Sequence, residues 1–143
     1  MNPRNITIKP YDSENRPALL ALWSRVFPNP SAHNQPADIL DEKHGFQPEL
    51  IRVAWCDGEL VGSVLVGYDG HRGWLNLLAV DQRLRRAGIG TALVDDACRQ
   101  LTSLGCRKLN IQIRDDNQDV VNFYTRLGFL QEPRVSMGKV LGS

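Results

Sequence analysis

Cysteine is scarce in this chain: three in 143 residues, Cys56, Cys98 and Cys106. The count is odd, no two form a Cys-x-x-Cys pair, and each falls in or beside an expected element. That excludes a disulfide framework and describes reduced thiols. The three histidines, His33, His44 and His71, share no ligand spacing with one another or with the cysteines, so no metal is expected. No apolar run approaches the roughly 18 residues that a membrane span needs. The opening MNPRNITIKP lacks the apolar stretch of a secretory signal, which makes the cytoplasm the expected location and a membrane no expected partner. An excess of charge of one sign is missing too. Lys and Arg number 17 against 16 Asp and Glu, a net +1, so nothing draws the whole chain to nucleic acid. Any basic site has to be local.

What is present is an ordinary globular composition, 42% hydrophobic and 23% charged, at a length that suits one domain over residues 1–143. Ile6–Lys9 reads as a short strand ending at Pro10. Asp12 or Ser13 can cap a helix that opens near Pro17 and carries Leu19, Leu20, Leu22, Trp23, Val26 and Phe27 on one side. Ala37–His44 is a second, short helix. Leu50–Cys56 and Glu59–Tyr68 flank the hairpin signal Asp57-Gly58, and Trp74–Val80 follows a second turn, Asp69–Gly73. A helix after Gly90 repeats apolar residues from Leu93 to Leu104 and stops at Gly105. Lys108–Arg114 alternates as a strand. Asp115, Asp116 or Asn117 can cap a fourth helix, Gln118–Leu127, and Phe129–Gln131 and Ser136–Leu141 read as closing strands. The order β-α-α-β-β-β-α-β-α-β-β implies a mixed α/β sheet of about seven strands with about four helices on its faces.

One connection stands out. Between Val80 and the third helix the chain reads DQRLRRAGIG. The first N–H groups of a helix have no partner within it, and the helix end carries about half a positive charge. Glycine lets a ligand approach the backbone, and Arg85 and Arg86 present forks of N–H donors. Together these make a seat for phosphate. A Walker loop is excluded, since no Gly-Lys-Ser/Thr occurs, and a dinucleotide fingerprint fails because Leu93 stands at its third glycine. Arg83 has no role in this picture and is expected to be solvated.

The arrangement resembles the GCN5-related N-acetyltransferases, whose Gln/Arg-x-x-Gly-x-Gly/Ala signature stands here as Arg85-Arg86-Ala87-Gly88-Ile89-Gly90. Asn117, Tyr124 and Gly128-Phe129 match a second element of that family at the same spacing. The resemblance is sharpest over Leu77–Phe129. The hairpin GSVLVGYDGHRG and the short length are similar to bacterial YpeA-type members. The resemblance implies that the sheet splays between its fourth and fifth strands. It implies that Arg85, Arg86, Ala87, Gly88, Ile89, Gly90 and Thr91 hold the pyrophosphate of coenzyme A, with Asn117 among the cofactor-binding residues. It implies that Leu78, Ala79 and Val80 pair with the pantetheine arm, and that Tyr124 protonates the departing thiolate. By pattern alone, Tyr124 reads equally well as a core aromatic beside Phe123 and Leu127.

The implied reaction is acetyl transfer from acetyl-CoA to an amine, either a small molecule or a peptide N-terminus or lysine. Many relatives carry a glutamate early in the fourth strand. Here Asn76 stands in Trp74-Leu75-Asn76-Leu77, and an amide cannot take up a proton at neutral pH. Asp69 and His71 have suitable chemistry but sit on a turn where Asp-Gly is first of all a turn former, so no base is assigned. Acceptor contacts are expected from the connections Pro28–Pro36 and Glu132–Val135. A non-catalytic coenzyme A-binding module is the alternative that the missing glutamate allows. A further rival is an interaction domain whose RLRR stretch binds an acidic partner or nucleic acid. A homodimer built across the last strand is left open.

Overall fold

The computed structural model describes residues 5–142. It holds five strands and four helices: β1 Ile6–Pro10, α1 Arg16–Val26, α2 Pro36–His44, β2 Ile51–Cys56, β3 Glu59–Tyr68, β4 Gly73–Val80, α3 Ile89–Ser103, β5 Leu109–Ile111 and α4 Gln118–Arg126. Single 3₁₀ turns lead into α1, β2 and the loop after β4. The chain divides into two compact units, residues 1–111 and 112–143, and each is described by itself.

In the first unit the strands lie in the order β1-β2-β3-β4-β5. The first four are antiparallel, as short turns require of β2–β3 and β3–β4, and β5 runs parallel to β4. Asp12 starts the approach to α1: its carboxylate accepts the Glu14 N–H at 2.9 Å and the Asn15 side chain closes back on its own N–H. Pro17 occupies the first turn of α1, where no intrahelical N–H is needed. Leu19, Leu22 and Trp23 of α1 are fully buried with Leu40 of α2 against Ile51, Val53, Leu65 and Ala79 of the sheet. The opposite face carries α3, whose Ile89, Leu93, Val94, Ala97 and Leu101 are buried. Ser63 meets Trp23 of α1, whereas the neighbouring Gly62 faces Ile89 and Leu93. Adjacent strand residues point to opposite faces, so α1 and α3 sandwich the sheet. A Cβ on Gly62 would stand 2.9 Å from the Ile89 side chain, so the missing side chain sets how closely α3 packs. Arg52 of β2 and Asp96 of α3 form a buried two-armed pair at 2.7 and 3.2 Å, and Arg52 also donates to the Glu49 carbonyl.

The second unit contains α4, capped by Asn117, whose side chain accepts the Val120 N–H at 3.4 Å. Two of the seven expected strands are not formed. Phe129–Gln131 is not a strand: the Gly128 and Phe129 N–H groups instead bond the Thr125 and Tyr124 carbonyls and close the end of α4. Ser136–Leu141 has no ladder partner among the described residues, because alternation dictates side-chain facing but supplies no second strand. β5 is also shorter than its alternating stretch, ending at Ile111. Around the closing segment, Gln112 donates from its side chain to the Ser136 hydroxyl at 2.7 Å.

Candidate active site

β4 leaves regular pairing midway. Ser63 pairs with Ala79 and Leu65 with Asn76, so Val64 faces two residues, Leu77 and Leu78. This is a β-bulge. Leu77 sits at φ 51°, a left-handed conformation that costs a non-glycine residue about 1–3 kcal/mol. A relay from the core braces it. The Trp23 indole N–H donates to the Ser63 hydroxyl at 2.8 Å, and that hydroxyl lies 3.4 Å from the Leu77 carbonyl, to which it donates. Neither Trp23 nor Ser63 was identifiable from sequence as part of a site. The available signal was an indole on an apolar helix face, whose N–H must find a partner.

The bulge decides which backbone groups are left over. Asp81 donates its N–H to the Val61 carbonyl at 2.8 Å. Hydrogen bonding alternates along an antiparallel strand, so Ala79 also faces β3, while the N–H and C=O of Leu78 and Val80 face away from it. On that other edge, pairing with β5 covers only Gly73, Trp74 and Leu75. Leu78 and Val80 therefore lie beyond the last β5 pair. Ala79 is buried, and Leu78 and Val80 are half-buried.

The loop that follows turns sharply. Arg86 adopts φ 66° and Gly88 φ 85°. Gly88 is the N-cap of α3 and contributes no side-chain bond. The first helical bond is from the Ala92 N–H to the Gly88 carbonyl, at 3.0 Å, so the helix makes no use of the N–H groups of Gly88, Ile89, Gly90 and Thr91. A Cβ on Gly88 would meet nothing within 4 Å, which leaves the backbone open to approach. Ala87 bonds back to Leu84 at 3.2 Å. Arg85 and Arg86 are exposed and join no ion pair among the described residues. Donors, open space and two uncommitted guanidinium groups suit a pyrophosphate.

Arg83 is solvated as expected, its side chain 60% exposed, but it also has a role: it clamps both oxygens of Asp81 (3.2 and 2.9 Å) and reaches Glu59 at 2.9 Å. Asp81 is buried, also accepts the Arg83 N–H at 3.0 Å, and has Arg25 of α1 at 3.7 Å. The Arg83 hydrogen bond chiefly holds its carboxyl below the ordinary value. This ties the loop's first turn to the β2–β3 hairpin and to α1.

The remaining candidates stand in the second unit. Asn117 is exposed and caps α4. Tyr124 is 6% exposed, edge-on to Phe123 and Phe129 with ring centres 5.0 and 5.1 Å away. Burial pushes its phenol up to about 12. Asp69 is occupied as a turn former, accepting the His71 and Arg72 N–H groups at 2.8 and 2.7 Å. Asn76 is exposed on β4.

The fold has relatives among solved structures. The fold is similar to that of the aminoglycoside N-acetyltransferase AAC(6')-Iy in complex with the bisubstrate analogue CoA-S-monomethyl-acetylneamine. The TM-score is 0.76 at 19% identity, over 94% of this chain and 97% of that one. The family follows from sequence. Residues 16–129 match the model of the acetyltransferase (GNAT) family, and the chain belongs to that family. It is 39% identical over 108 residues to an acetyltransferase of Yersinia enterocolitica, covering 76% of this chain and 77% of that one. It is 34% identical over 135 residues to an acetyltransferase of Pectobacterium atrosepticum, covering 94% of each. The protein is an N-acetyltransferase.

Proposed function

We propose that the protein transfers the acetyl group of acetyl-CoA to a primary amine by direct attack, and that residues 1–143 act as one catalytic domain. The family match runs across both compact units, which supports the single-domain reading. The observation that carries the proposal is the bulge at Leu77–Leu78. It leaves the Leu78 and Val80 backbone facing away from β3, a few residues ahead of a helix start whose N–H groups are unused.

The N–H groups of Gly88, Ile89, Gly90 and Thr91 bind the pyrophosphate, Arg85, Arg86 and Ala87 line the turn beside it, and Asn117 contributes to the cofactor site. Leu78, Ala79 and Val80 hold the pantetheine arm, Leu78 and Val80 through the backbone groups that β3 leaves unused. The Leu78 N–H donates to the carbonyl oxygen as it becomes an oxyanion. The amine must attack in its neutral form, and for a lysine-like amine at pH 7 deprotonation costs about 4–5 kcal/mol. The amine nitrogen bonds to the acetyl carbon, the carbon–sulfur bond breaks, and Tyr124 gives its proton to the thiolate. A phenol at about 12 stays protonated well above neutral pH, so it is always available as a donor. Asn76 cannot accept the amine's proton, which leaves through water. The chemistry requires no metal, and the reactants suit the cytoplasm.

The test is acetyl-CoA turnover with amino acids, polyamines, aminoglycosides and peptide N-termini, read as thiol release, alongside thermal stabilisation by acetyl-CoA. Release above the uncatalysed rate with at least one amine is expected. Neither release nor stabilisation at millimolar acetyl-CoA would overturn the reading.

A further inference from the structure

The segment between β4 and α3 is a run of linked turns. The Leu84 N–H bonds the Asp81 carbonyl at 2.9 Å, Arg85 the Gln82 carbonyl at 3.4 Å, and Ala87 the Leu84 carbonyl at 3.2 Å. Arg86 and Gly88 follow at positive φ, and α3 begins. The far end of the run is anchored by packing, since Ile89 is buried against Gly62. The near end is anchored by Asp81, whose N–H bonds the Val61 carbonyl at 2.8 Å.

That near anchor depends on charge. The Asp81 side chain is only 5% exposed. It accepts the Arg83 N–H at 3.0 Å, which caps the first turn, and both arms of the Arg83 guanidinium. Arg83 Nη2 also donates to Glu59 on the β2–β3 hairpin at 2.9 Å. Arg25 stands 3.7 Å from Asp81, too far for a hydrogen bond. A buried carboxylate that loses its partner is left uncompensated, and water reaches Asp81 only if the first turn opens. Arg85, Arg86, Ala87 and Gly88 would then lose their fixed start. Of the arginines in RLRR, two join no ion pair among the described residues, while Nε and Nη2 of Arg83 are committed within the fold.

We propose that Arg83 is a positioning residue for the acetyl-CoA site: by clamping Asp81 to the β2–β3 hairpin it holds the Arg85–Gly88 turn ready for the pyrophosphate, without contacting the cofactor. This rests on the acetyl-transfer reading above, with the pyrophosphate at the start of α3. Charge and position make opposite predictions here. Removing the negative Glu59 would, by Coulomb attraction alone, tighten the binding of an anionic cofactor. If Glu59 serves by holding Arg83, its removal weakens binding. Similarly, an Arg83 that touched phosphate would matter equally whatever stood at position 81. An Arg83 that serves Asp81 matters little once Asp81→Asn leaves no buried charge, so the two losses do not add.

The experiment measures the acetyl-CoA Kd by calorimetry for wild type, Arg83→Gln, Glu59→Gln, Asp81→Asn and the Arg83→Gln/Asp81→Asn double variant, with circular dichroism to verify folding. Arg83→Gln is expected to raise Kd about fivefold or more, and Glu59→Gln about twofold. The double variant should bind no more weakly than the weaker single variant. In turnover, the Arg83→Gln loss should fall on KM for acetyl-CoA more than on kcat. A purely structural role would lower the urea midpoint and leave the Kd of the folded protein where it was. An unchanged Kd in Arg83→Gln, an unchanged or tighter one in Glu59→Gln, or additive losses in the double variant overturns the proposal. Binding and turnover by the wild type would leave the acetyl-transfer reading standing in each of those cases. A wild type that binds no acetyl-CoA overturns both.

Discussion

In the proposed reaction Tyr124 and Ser63 carry unequal parts of the chemistry. Tyr124 would act as the proton donor, its phenol raised by burial to about 12 and so protonated throughout the neutral range, and general acid catalysis contributes about 10²–10⁴-fold to rate. Tyr124→Phe is therefore expected to lower kcat about 100-fold on a competent amine, with the acetyl-CoA Kd changed less than twofold. Unchanged turnover in steady-state assays would remove the phenol from the mechanism. Ser63 acts at one remove. Its hydroxyl satisfies the buried Trp23 N–H and donates to the carbonyl of the strained Leu77. Ser63→Ala strands the indole N–H, at about 1–3 kcal/mol of stability, and frees the bulge. Urea unfolding should show the stability loss, and kcat should fall more than the affinity for acetyl-CoA. Equal effects on kcat and affinity would argue against a positioning role. At this scale the sequence was legible where a residue acts alone or locally, as with Asn117 capping α4. It was silent on Trp23 and Ser63, which meet across 40 positions of chain.

Among the elements, the start of α3 is the part most open to test. Gly88 holds φ 85°, which costs other residues about 1–2 kcal/mol, and a side chain there would enter the open space proposed for the pyrophosphate. Gly88→Val is expected to raise the acetyl-CoA Kd at least tenfold while circular dichroism shows the helix content retained. Retained affinity by calorimetry would place the pyrophosphate elsewhere. The elements themselves were largely legible. β3 occupies the residues the Asp57-Gly58 turn implies, and α3 follows its apolar repeat. Phe129–Gln131 and Ser136–Leu141 carry strand-like patterns without forming strands, because a strand exists only through a partner and no local pattern names one. The bulge was invisible for a related reason. Leu77 and Leu78 are ordinary apolar residues, and the extra residue arises only from the register of β3 against β4.

For the molecule as a whole, charge couples stability to pH at one buried point. Asp81 is held below its ordinary value of 3.8, chiefly by the Arg83 hydrogen bond. A carboxyl depressed on folding adds stability that is present above the unfolded value and lost as pH falls through the folded one. The stability gap between wild type and Asp81→Asn should stay constant from about pH 7 to pH 5 and narrow below about pH 4. Urea titrations across that range would show it, and a gap independent of pH would mean that the ion pair contributes nothing.

Local chemistry determined a good deal from sequence alone. Helices and antiparallel strands follow from periodicity and turn residues. The phosphate-seat reading follows from arginines and glycines that precede a helix start, and the family resemblance from two motifs at fixed spacing. These signals lie within a few residues of one another, so the linear order preserves them. Only tertiary structure decided the rest: the bulge, the relay from Trp23, and Arg83 as a clamp on Asp81. Each depends on groups brought together across the sheet, where packing and register, rather than neighbourhood in the chain, choose the partner.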